Sequence, residues 1–317
     1  MANCPVDFPP LSLPESPEHG KANMAVKQMT AETSTADDYA LLDSGGGRKF
    51  ERFGPYRLSR PASQAVWSPQ QPALWETASA AFDREDGLNW RGRERLPDAW
   101  PVTIGGVRFR LSSTDFGHLG VFPEQRSQWA WFRERIAQAS AARGAPLQVL
   151  NLFAYSGGST LAAAQAGAQV CHLDAARGMV DWARENAALN GLESAPVRWI
   201  VDDALKFLQR EIRRERRYDG IILDPPTFGR GKSGEVFKIE EHLPVLMDLC
   251  RQLLSPRPAF LHLSCHTPGY TPVILHNVLR QVMASAGGKV ESGEMQLTGD
   301  TPAVLPLPSG AYARWSV

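Results

Sequence analysis

VLNLFAYSGG, at residues 149–158, joins a short apolar run to a turn of small residues. The apolar part, residues 149–154, suits a parallel strand that is buried on both faces. The turn leads into an alanine-rich segment, residues 159–166, whose composition predicts a helix. A strand, a small-residue turn and a helix in this order predict the opening unit of a doubly wound sheet.

The same alternation of strand-like and helical segments continues on both sides of this unit. Residues 127–142 before it have helical spacing, and Thr271 and Gly287 are the expected N-cap and C-cap of the last helix. Strands are expected at 170–174, 197–201, 220–223, 259–263, 290–297 and 312–317, and helices at 179–189, 204–214, 245–254 and 272–286. The predicted fold class is therefore α/β, with a doubly wound Rossmann-like parallel sheet and right-handed crossovers.

Three regions differ in composition along the chain. Residues 1–47 are rich in proline, serine, threonine and acidic residues, and we predict a flexible tail there. Residues 48–125 are dense in aromatic residues and alternate around Gly105-Gly106, which predicts a hairpin within a small β-rich accessory domain. Residues 126–317 carry the α/β alternation and form the third expected region.

Composition excludes several classes of protein. The 34 basic and 34 acidic residues give zero formal charge, so attraction of the whole molecule to a polyanion is not expected. The four cysteines are scattered without a C-x-x-C pair, and neither a disulfide framework nor a metal site is predicted. No apolar run reaches the length of about 18 residues that a membrane span needs. We expect a cytoplasmic protein without membrane contact.

Four informative segments follow predicted strands: FAYSGG at 153–158, HLD at 172–174, DDA at 202–204 and DPPTF at 224–228. The carboxyl ends of parallel strands meet at one edge of a sheet, where ligands of such folds bind. Asp174 is placed to accept both ribose hydroxyl protons of a nucleoside. Asp203 is placed for an adenine amino group, although a helix N-cap role is equally compatible with its position.

These segments together predict a site for S-adenosylmethionine (SAM). The first turn lacks the G-x-G-x-x-G pattern of a dinucleotide site, and SAM has no phosphate for such a pattern to bind. Asp224 is followed by two prolines that end the strand and form a rigid turn over the site. Residues 126–317 are thus the expected methyltransferase domain. The predicted SAM contacts from these segments are Phe153, Ala154, Tyr155, Ser156, Gly157, Asp174, Ala175, Asp203, Ala204, Asp224 and Pro225.

From about Phe50 onward the chain resembles the bacterial large-subunit rRNA cytosine-C5 methyltransferase family. The resemblance is carried by GVFPEQR at 120–126, NLFAYSG at 151–157 and DPPTFGRG at 224–231. It implies a class I methyltransferase fold with Gln125 and Arg126 beside SAM, and Arg126 as a partner for the SAM carboxylate. Members of that family carry an N-terminal RNA-binding module, which residues 1–47 cannot form.

Cys265 follows the fifth predicted strand, beside the cofactor site, and is the candidate nucleophile. Carbon 5 of a pyrimidine becomes reactive when a thiolate adds to carbon 6, and His266 is placed to lower the thiol pKa. The resembling family has Ser-Cys-Ser where this chain has Ser-Cys-His. The expected reaction is cytosine C5 methylation in rRNA, with Asp224 holding the polar edge of the base. A small buried thiol without a catalytic role is the alternative interpretation.

Two further functions remain open from the sequence. The first is methylation of an amino nitrogen on nucleic acid, protein or a small molecule, and the second is a non-catalytic SAM- or RNA-binding role. Pro226, Phe228, Arg230 and Lys232 are the candidate substrate contacts, because they follow Asp224 in a loop that contains two cations. RNA is the expected partner, and the sequence does not fix the oligomeric state.

Overall fold

The computed structural model describes residues 37–84, 89–230 and 236–317. A five-stranded sheet lies at the N-terminal end, with its strands in chain order and only β3 and β4 pairing in parallel. Its strands are β1 (Tyr39–Gly45), β2 (Arg48–Phe53), β3 (Tyr56–Pro61), β4 (Ala80–Asp83) and β5 (Asn89–Arg91). This sheet is the β-rich region that the aromatic density predicted.

The predicted tail ends too late, because β1 lies within residues 1–47. Six of the seven residues of β1 are buried, and the strand pairs along its length with β2. Gly46 and Gly47 form the turn between the two strands, both with positive φ, as a tight hairpin requires. These glycines were interpreted as a linker, whereas they close a hairpin. Residues 1–36 of the predicted tail lie outside the described residues.

The hairpin predicted around Gly105-Gly106 is confirmed. Strands β6 (Trp100–Ile104) and β7 (Val107–Leu111) pair antiparallel with these glycines between them. Side chains of a later helix hold β7: Asn186 accepts a hydrogen bond from the Arg110 backbone, and Trp182 donates one to the Arg110 carbonyl. The described residues cluster as one compact unit, and the division at residue 125 stays a prediction.

A seven-stranded sheet forms the rest of the protein, in the order β10-β9-β8-β11-β14-β16-β15. The first five strands are parallel, and β16 runs antiparallel to both of its neighbours, β14 and β15, so the sheet is mixed. Its strands are β8 (Gln148–Leu152), β9 (Gln169–Asp174), β10 (Val197–Val201), β11 (Gly220–Leu223), β14 (Phe260–Cys265), β15 (Lys289–Leu297) and β16 (Leu307–Ser316). The predicted doubly wound α/β fold is confirmed.

Six helices accompany this sheet within the described residues. They are α1 (Arg126–Arg143), α2 (Gly158–Gln165), α3 (Arg177–Leu189), α4 (Ala204–Arg213), α5 (Ile239–Leu253) and α6 (Pro272–Val282). Helix α1 precedes β8, and the other five connect strands of the sheet. Helix α6 ends at Met283 rather than at the expected Gly287, and the Thr271 side chain makes no capping hydrogen bond. None of these helices combines the length and the hydropathy that a membrane span requires.

Strand order reverses between β8 and β11, which lie side by side in the centre of the sheet. The polypeptide leaves these two strands toward opposite faces of the sheet, so a crevice opens beyond their carboxyl ends. The loop after β8 begins at Phe153 and the loop after β11 begins at Asp224. The first and fourth predicted segments therefore meet at this switch point.

Candidate active site

A cavity of about 990 Å³ lies beyond the carboxyl ends of the parallel strands. It is large enough for a nucleoside cofactor together with part of a second molecule. Residues from every segment predicted from the sequence line it, namely Phe153, Tyr155, Asp174, Ala175, Asp203, Ala204, Asp224, Pro225 and Pro226. Ala154 and Ser156 line a smaller adjoining cavity together with Gln125.

The loop after β8 has an unusual backbone. Phe153 and Tyr155 have φ angles of 55° and 50°, although neither is a glycine. Such conformations cost free energy and persist where the surrounding structure holds them. The Asp174 carboxylate accepts a hydrogen bond of 2.9 Å from the Tyr155 backbone, and the buried Ser156 hydroxyl donates to the Gly120 carbonyl. The loop is thus fixed before any ligand arrives.

Asp174 ends β9 and stands in the wall of the cavity. One carboxylate oxygen accepts from the Tyr155 backbone and the other from the Ala176 backbone, each at 2.9 Å. Each oxygen keeps a lone pair for a further donor, so the carboxylate can still accept ribose hydroxyls. Burial raises the pKa of Asp174, against the effect of these two backbone donors.

Asp203 has the capping role that the sequence left open. Its side chain accepts a hydrogen bond of 2.9 Å from the Lys206 backbone at the start of α4. It also lines the cavity, so the capping bond leaves it beside the cofactor region. The adenine contact of Asp203 stays a prediction.

Asp224 is the residue on which the polar contacts of the site converge. Its Oδ2 atom accepts a hydrogen bond of 3.1 Å from the Gln125 side chain, which also donates to the Ser264 hydroxyl at 3.1 Å. Its Oδ1 atom is buried without a hydrogen-bond partner among the described residues. A buried carboxylate oxygen of this kind is costly unless a ligand donates to it. Asp224 therefore offers one acceptor to the bound molecules.

His266 lies between two carboxylates. Its Nε2 atom is 3.4 Å from Asp224 Oδ2, and its Nδ1 atom is 3.7 Å from Glu124 Oε1. Burial alone would lower the pKa of His266, but the two carboxylates outweigh burial and raise it to about 9. For Asp224, burial raises the pKa, and His266 outweighs this effect and holds it below its usual range. His266 is consequently a cation at neutral pH.

The expected activation of Cys265 by His266 is wrong. The imidazole engages Asp224 and Glu124, and burial raises the pKa of the Cys265 thiol. Cys265 is 0% exposed, belongs to the apolar cluster beneath α5 and α6, and its Sγ accepts a hydrogen bond of 3.4 Å from the Thr267 backbone. Cys265 is the last residue of β14, and its thiol packs in this cluster, whereas the ring of the following residue, His266, lines the cavity.

Arg126 does not face the cavity, contrary to what the resemblance implied. Its guanidinium donates to the Thr298 hydroxyl at 2.7 Å and lies 3.4 Å from the Asp37 carboxylate. Gln125 and Arg126 are consecutive at the start of α1, so their side chains point in different directions. Only Gln125 of this pair reaches Asp224.

The predicted substrate contacts are divided. Pro226 lines the cavity, while Phe228 is half-exposed and does not line it. Phe228 and Arg230 belong to strand β12 (Phe228–Arg230), which pairs with β13 (Val236–Lys238). The segment after Asp224 that was predicted as a loop therefore contains a short strand. Lys232 lies outside the described residues.

Comparison with known proteins identifies the family. The sequence profile of S-adenosylmethionine-dependent methyltransferases matches residues 66–281, which is more than half of the chain. The crystal structure of a SAM-dependent methyltransferase from Agrobacterium tumefaciens is 43% identical, with a TM-score of 0.83 over 90% of this chain and 92% of that one. This chain belongs to the SAM-dependent methyltransferase family.

Curated relatives of this methyltransferase include ribosomal RNA large subunit methyltransferases I. The protein of that name from Klebsiella pneumoniae is 26% identical over 306 residues, which cover 90% of this chain and 74% of the relative. The Salmonella arizonae protein of the same name is 31% identical over 248 residues, 76% of this chain and 59% of its own length.

The described residues of this methyltransferase fit the SAM cofactor of its family. When bound, SAM supplies an electrophilic methyl group on its sulfonium sulfur. The cavity offers two carboxylates with free acceptor capacity, at Asp174 and at the unpaired oxygen of Asp224. Such groups suit a ligand that carries ribose hydroxyls and an ammonium group.

Several residues of the site have no role in the sequence interpretation. Arg84, His118, Phe122 and Phe237 also line the cavity of this methyltransferase, and Glu124 flanks His266. Phe122 and Glu124 lie within the GVFPEQR motif, so their position before α1 was a usable signal. Arg84 comes from the N-terminal sheet, and nothing in its local sequence indicates a contact with the cavity.

Proposed function

We propose that this methyltransferase methylates carbon 5 of a cytosine in RNA, with Cys265 as the nucleophile. The observation that carries the proposal is the position of Cys265 at the carboxyl end of β14. Leu263 of β14 pairs with Leu223 of β11, so Asp224 and the two residues Ser264 and Cys265 follow from neighbouring strand ends. A candidate nucleophile and a candidate base-binding carboxylate thereby belong to neighbouring strand ends at the same edge of the sheet.

The proposed reaction proceeds by addition of the Cys265 thiolate to the ring, transfer of the methyl group and elimination of the thiolate. The thiol of Cys265 gives its proton to water, and the thiolate adds to carbon 6 of the ring while N3 takes a proton. The electrons that reach carbon 5 would form its bond to the methyl group, and the electron pair of the methyl–sulfur bond that breaks would stay on the sulfur and give S-adenosylhomocysteine. Loss of the carbon 5 proton then breaks the bond between carbon 6 and sulfur, N3 releases its proton, and Cys265 is restored.

Asp224 and His266 have supporting roles in this reaction. The unpaired Oδ1 atom of Asp224 is the acceptor for the exocyclic amino group of the cytosine. The His266 cation, 3.4 Å from Oδ2, keeps Asp224 ionised. An ionised Asp224 accepts and does not donate, which favours the amino group of cytosine over the carbonyl oxygen of uracil at the same position.

The RNA substrate is supported by the relatives and by the site. Two of the curated relatives are large-subunit rRNA methyltransferases by name, and one is aligned over 90% of this chain. The cavity has more volume than a nucleoside cofactor fills, which leaves space for an extruded base.

A second candidate, transfer to an amino nitrogen, is favoured by the full burial of Cys265. In that reaction Asp224 Oδ1 accepts from the target amine, and no thiolate is needed. The two candidates differ in the atom that carries the new methyl group, so the product distinguishes them.

The test is mass spectrometry of nucleosides from rRNA and tRNA of cells with and without the gene. The proposal predicts that 5-methylcytidine at one site is lost with the gene and restored by the wild-type protein. Restoration by a Cys265→Ala variant, or loss of an N-methylated nucleoside instead, would contradict the proposed mechanism. Unchanged RNA nucleosides would remove RNA as the substrate.

A further inference from the structure

A second, smaller cavity of about 150 Å³ lies next to the cofactor cavity. Arg84, His118 and Phe122 line both cavities, so the two are continuous at these three side chains. The smaller cavity is bounded on its other side by Lys49 and Arg60 of the N-terminal sheet. It therefore connects the N-terminal sheet with the reaction site.

The charge of this smaller cavity is predominantly positive among the described residues. Lys49 and Arg60 face the buried Glu51 carboxylate at 3.2 and 2.7 Å, so these three side chains keep one positive charge. Glu124 also lines the cavity, and its carboxylate lies 3.7 Å from the His266 cation. Arg84 adds another positive charge at the junction with the larger cavity. The pKa of His118 is lowered by burial and then by these three cations, as expected where positive charge accumulates.

Aromatic rings continue from the smaller cavity into the larger one. The His118 ring is 5.8 Å from Phe122, which is itself 5.3 Å from Tyr155 and 5.5 Å from the His266 ring. At the outer end, Phe116 is 64% exposed, although it is a large apolar side chain. Exposed rings beside cations are the usual surface for stacking the bases of single-stranded nucleic acid.

We propose that this groove, formed by Lys49, Arg60, Arg84, Phe116, His118 and Phe122, binds the single-stranded RNA that flanks the target nucleotide. The inference rests on the proposed RNA substrate and adds the surface that holds it. Arg84 contacts a phosphate next to the target, and Phe116 stacks a flanking base. The N-terminal sheet thus becomes part of the substrate site, although the whole molecule has zero formal charge.

The groove combines two features that suit single-stranded RNA: positive charge for the phosphates and exposed aromatic rings for the bases. Phosphate contacts supply affinity that falls with salt, and stacking supplies affinity that salt affects little. A duplex stacks its bases internally and leaves none for Phe116. The two side chains are therefore separable by their response to salt.

The experiment measures binding of a fluorescein-labelled oligocytidylate to the full chain over a range of salt concentrations. The variants are Arg84→Ala and Phe116→Ala. Their matched controls lie on α6: Arg280→Ala removes an exposed arginine, and Val273→Ala trims a side chain that is 67% exposed. Calorimetry with S-adenosylhomocysteine on every variant shows whether the cofactor site is intact.

We expect Arg84→Ala to weaken RNA binding about 10-fold and to lower the slope of log affinity against log salt by about 0.7. Phe116→Ala should weaken binding about 10-fold without a change in that slope. Phe116→Ala, whose side chain does not line the cofactor cavity, should bind S-adenosylhomocysteine as the wild type does. If both variants bind oligocytidylate as well as the α6 controls do, the proposal that the groove binds RNA is overturned. The proposed function would still stand. A wild-type protein that binds no RNA would overturn both.

Discussion

His266 is the residue whose charge most affects the site, because it is a cation held between Asp224 and Glu124. Its replacement of a serine in the resembling motif was visible in the sequence. The pairing of His266 with the two carboxylates was not visible in the sequence, because Glu124 lies in the segment before α1 and Asp224 follows β11. Residue identities thus predicted which side chains gather at the strand ends, whereas their partners depend on which way each side chain points.

The charge of His266 predicts a pH dependence of stability. Its pKa in the folded protein, about 9, lies above the ordinary value of 6.5, so folding binds the proton more tightly. Its stabilisation is therefore complete below pH 6.5 and is lost as the pH rises through about 9. The destabilisation caused by His266→Asn, measured by chemical denaturation, should shrink over that range. A His266→Asn penalty that stays constant with pH would contradict this charge.

Arg126 and Cys265 show the limit of residue-level prediction. Both lie next to residues of the site along the chain, but the Arg126 side chain turns away from the cavity and Cys265 is fully buried. Alternation along a strand and rotation around a helix decide such directions, and the flanking sequence constrains them weakly.

At the scale of elements, the apolar patterns of the sequence predicted the strands and helices of the large sheet, but they did not predict β1. The sequence of β1 ends in Asp43-Ser44-Gly45, which has the composition of a linker. In the structure Asp43 is buried and accepts hydrogen bonds from the backbones of Ser44, Gln70 and Gln71 and from the Trp75 ring. Long-range partners of this kind leave no periodic pattern in the sequence.

These contacts make Asp43 important for the stability of the N-terminal sheet. Asp43→Ala leaves one buried and three partly buried N–H donors without this acceptor and should lower the free energy of unfolding by about 3 kcal/mol. Asp98→Ala, at an exposed carboxylate, is the control and should change it by less than about 0.5 kcal/mol. Urea denaturation measures both, and equal effects would show that β1 is not anchored through Asp43.

The segment before α1 carries Phe122, Glu124 and Gln125 into the site, and its path depends on Gly120. Gly120 has a φ of 91°, and a Cβ atom there would lie 2.2 Å from the Trp182 ring. That ring is fixed by its hydrogen bond of 2.7 Å to the Arg110 carbonyl. A side chain at residue 120 must therefore displace the segment.

Gly120→Ala should destabilise the protein by about 3 kcal/mol and weaken binding of S-adenosylhomocysteine. Gly144→Ala is the matched control, because Gly144 also has a positive φ, at 68°, with nothing within 4 Å of its Cβ position. The control should cost about 1 kcal/mol from backbone strain alone. Thermal denaturation measures the stability of both variants, and calorimetry measures their binding of S-adenosylhomocysteine. Equal effects of the two substitutions would refute the role of the Trp182 contact.

At the scale of the whole molecule, two sheets contribute to one site. The mixed sheet provides the switch point with Asp174 and Asp224, and the N-terminal sheet provides Arg84 at the mouth of the cavity. The sequence predicted the first contribution because strand ends are recognisable from local patterns. The second depends on how the N-terminal sheet packs, which local patterns do not encode.

The central claim is that Cys265 attacks a cytosine in RNA, and covalent trapping tests it most directly. Fluorine at carbon 5 cannot leave as a proton, so the bond between carbon 6 and Cys265 should persist once the methyl group is transferred. Large-subunit rRNA transcribed with 5-fluorocytidine should form a SAM-dependent adduct with the wild type, and form it faster at higher pH because burial raises the thiol pKa. Cys265→Ala should bind S-adenosylhomocysteine normally and form none. An adduct with Cys265→Ala, or 5-methylcytidine made by that variant, would contradict the account.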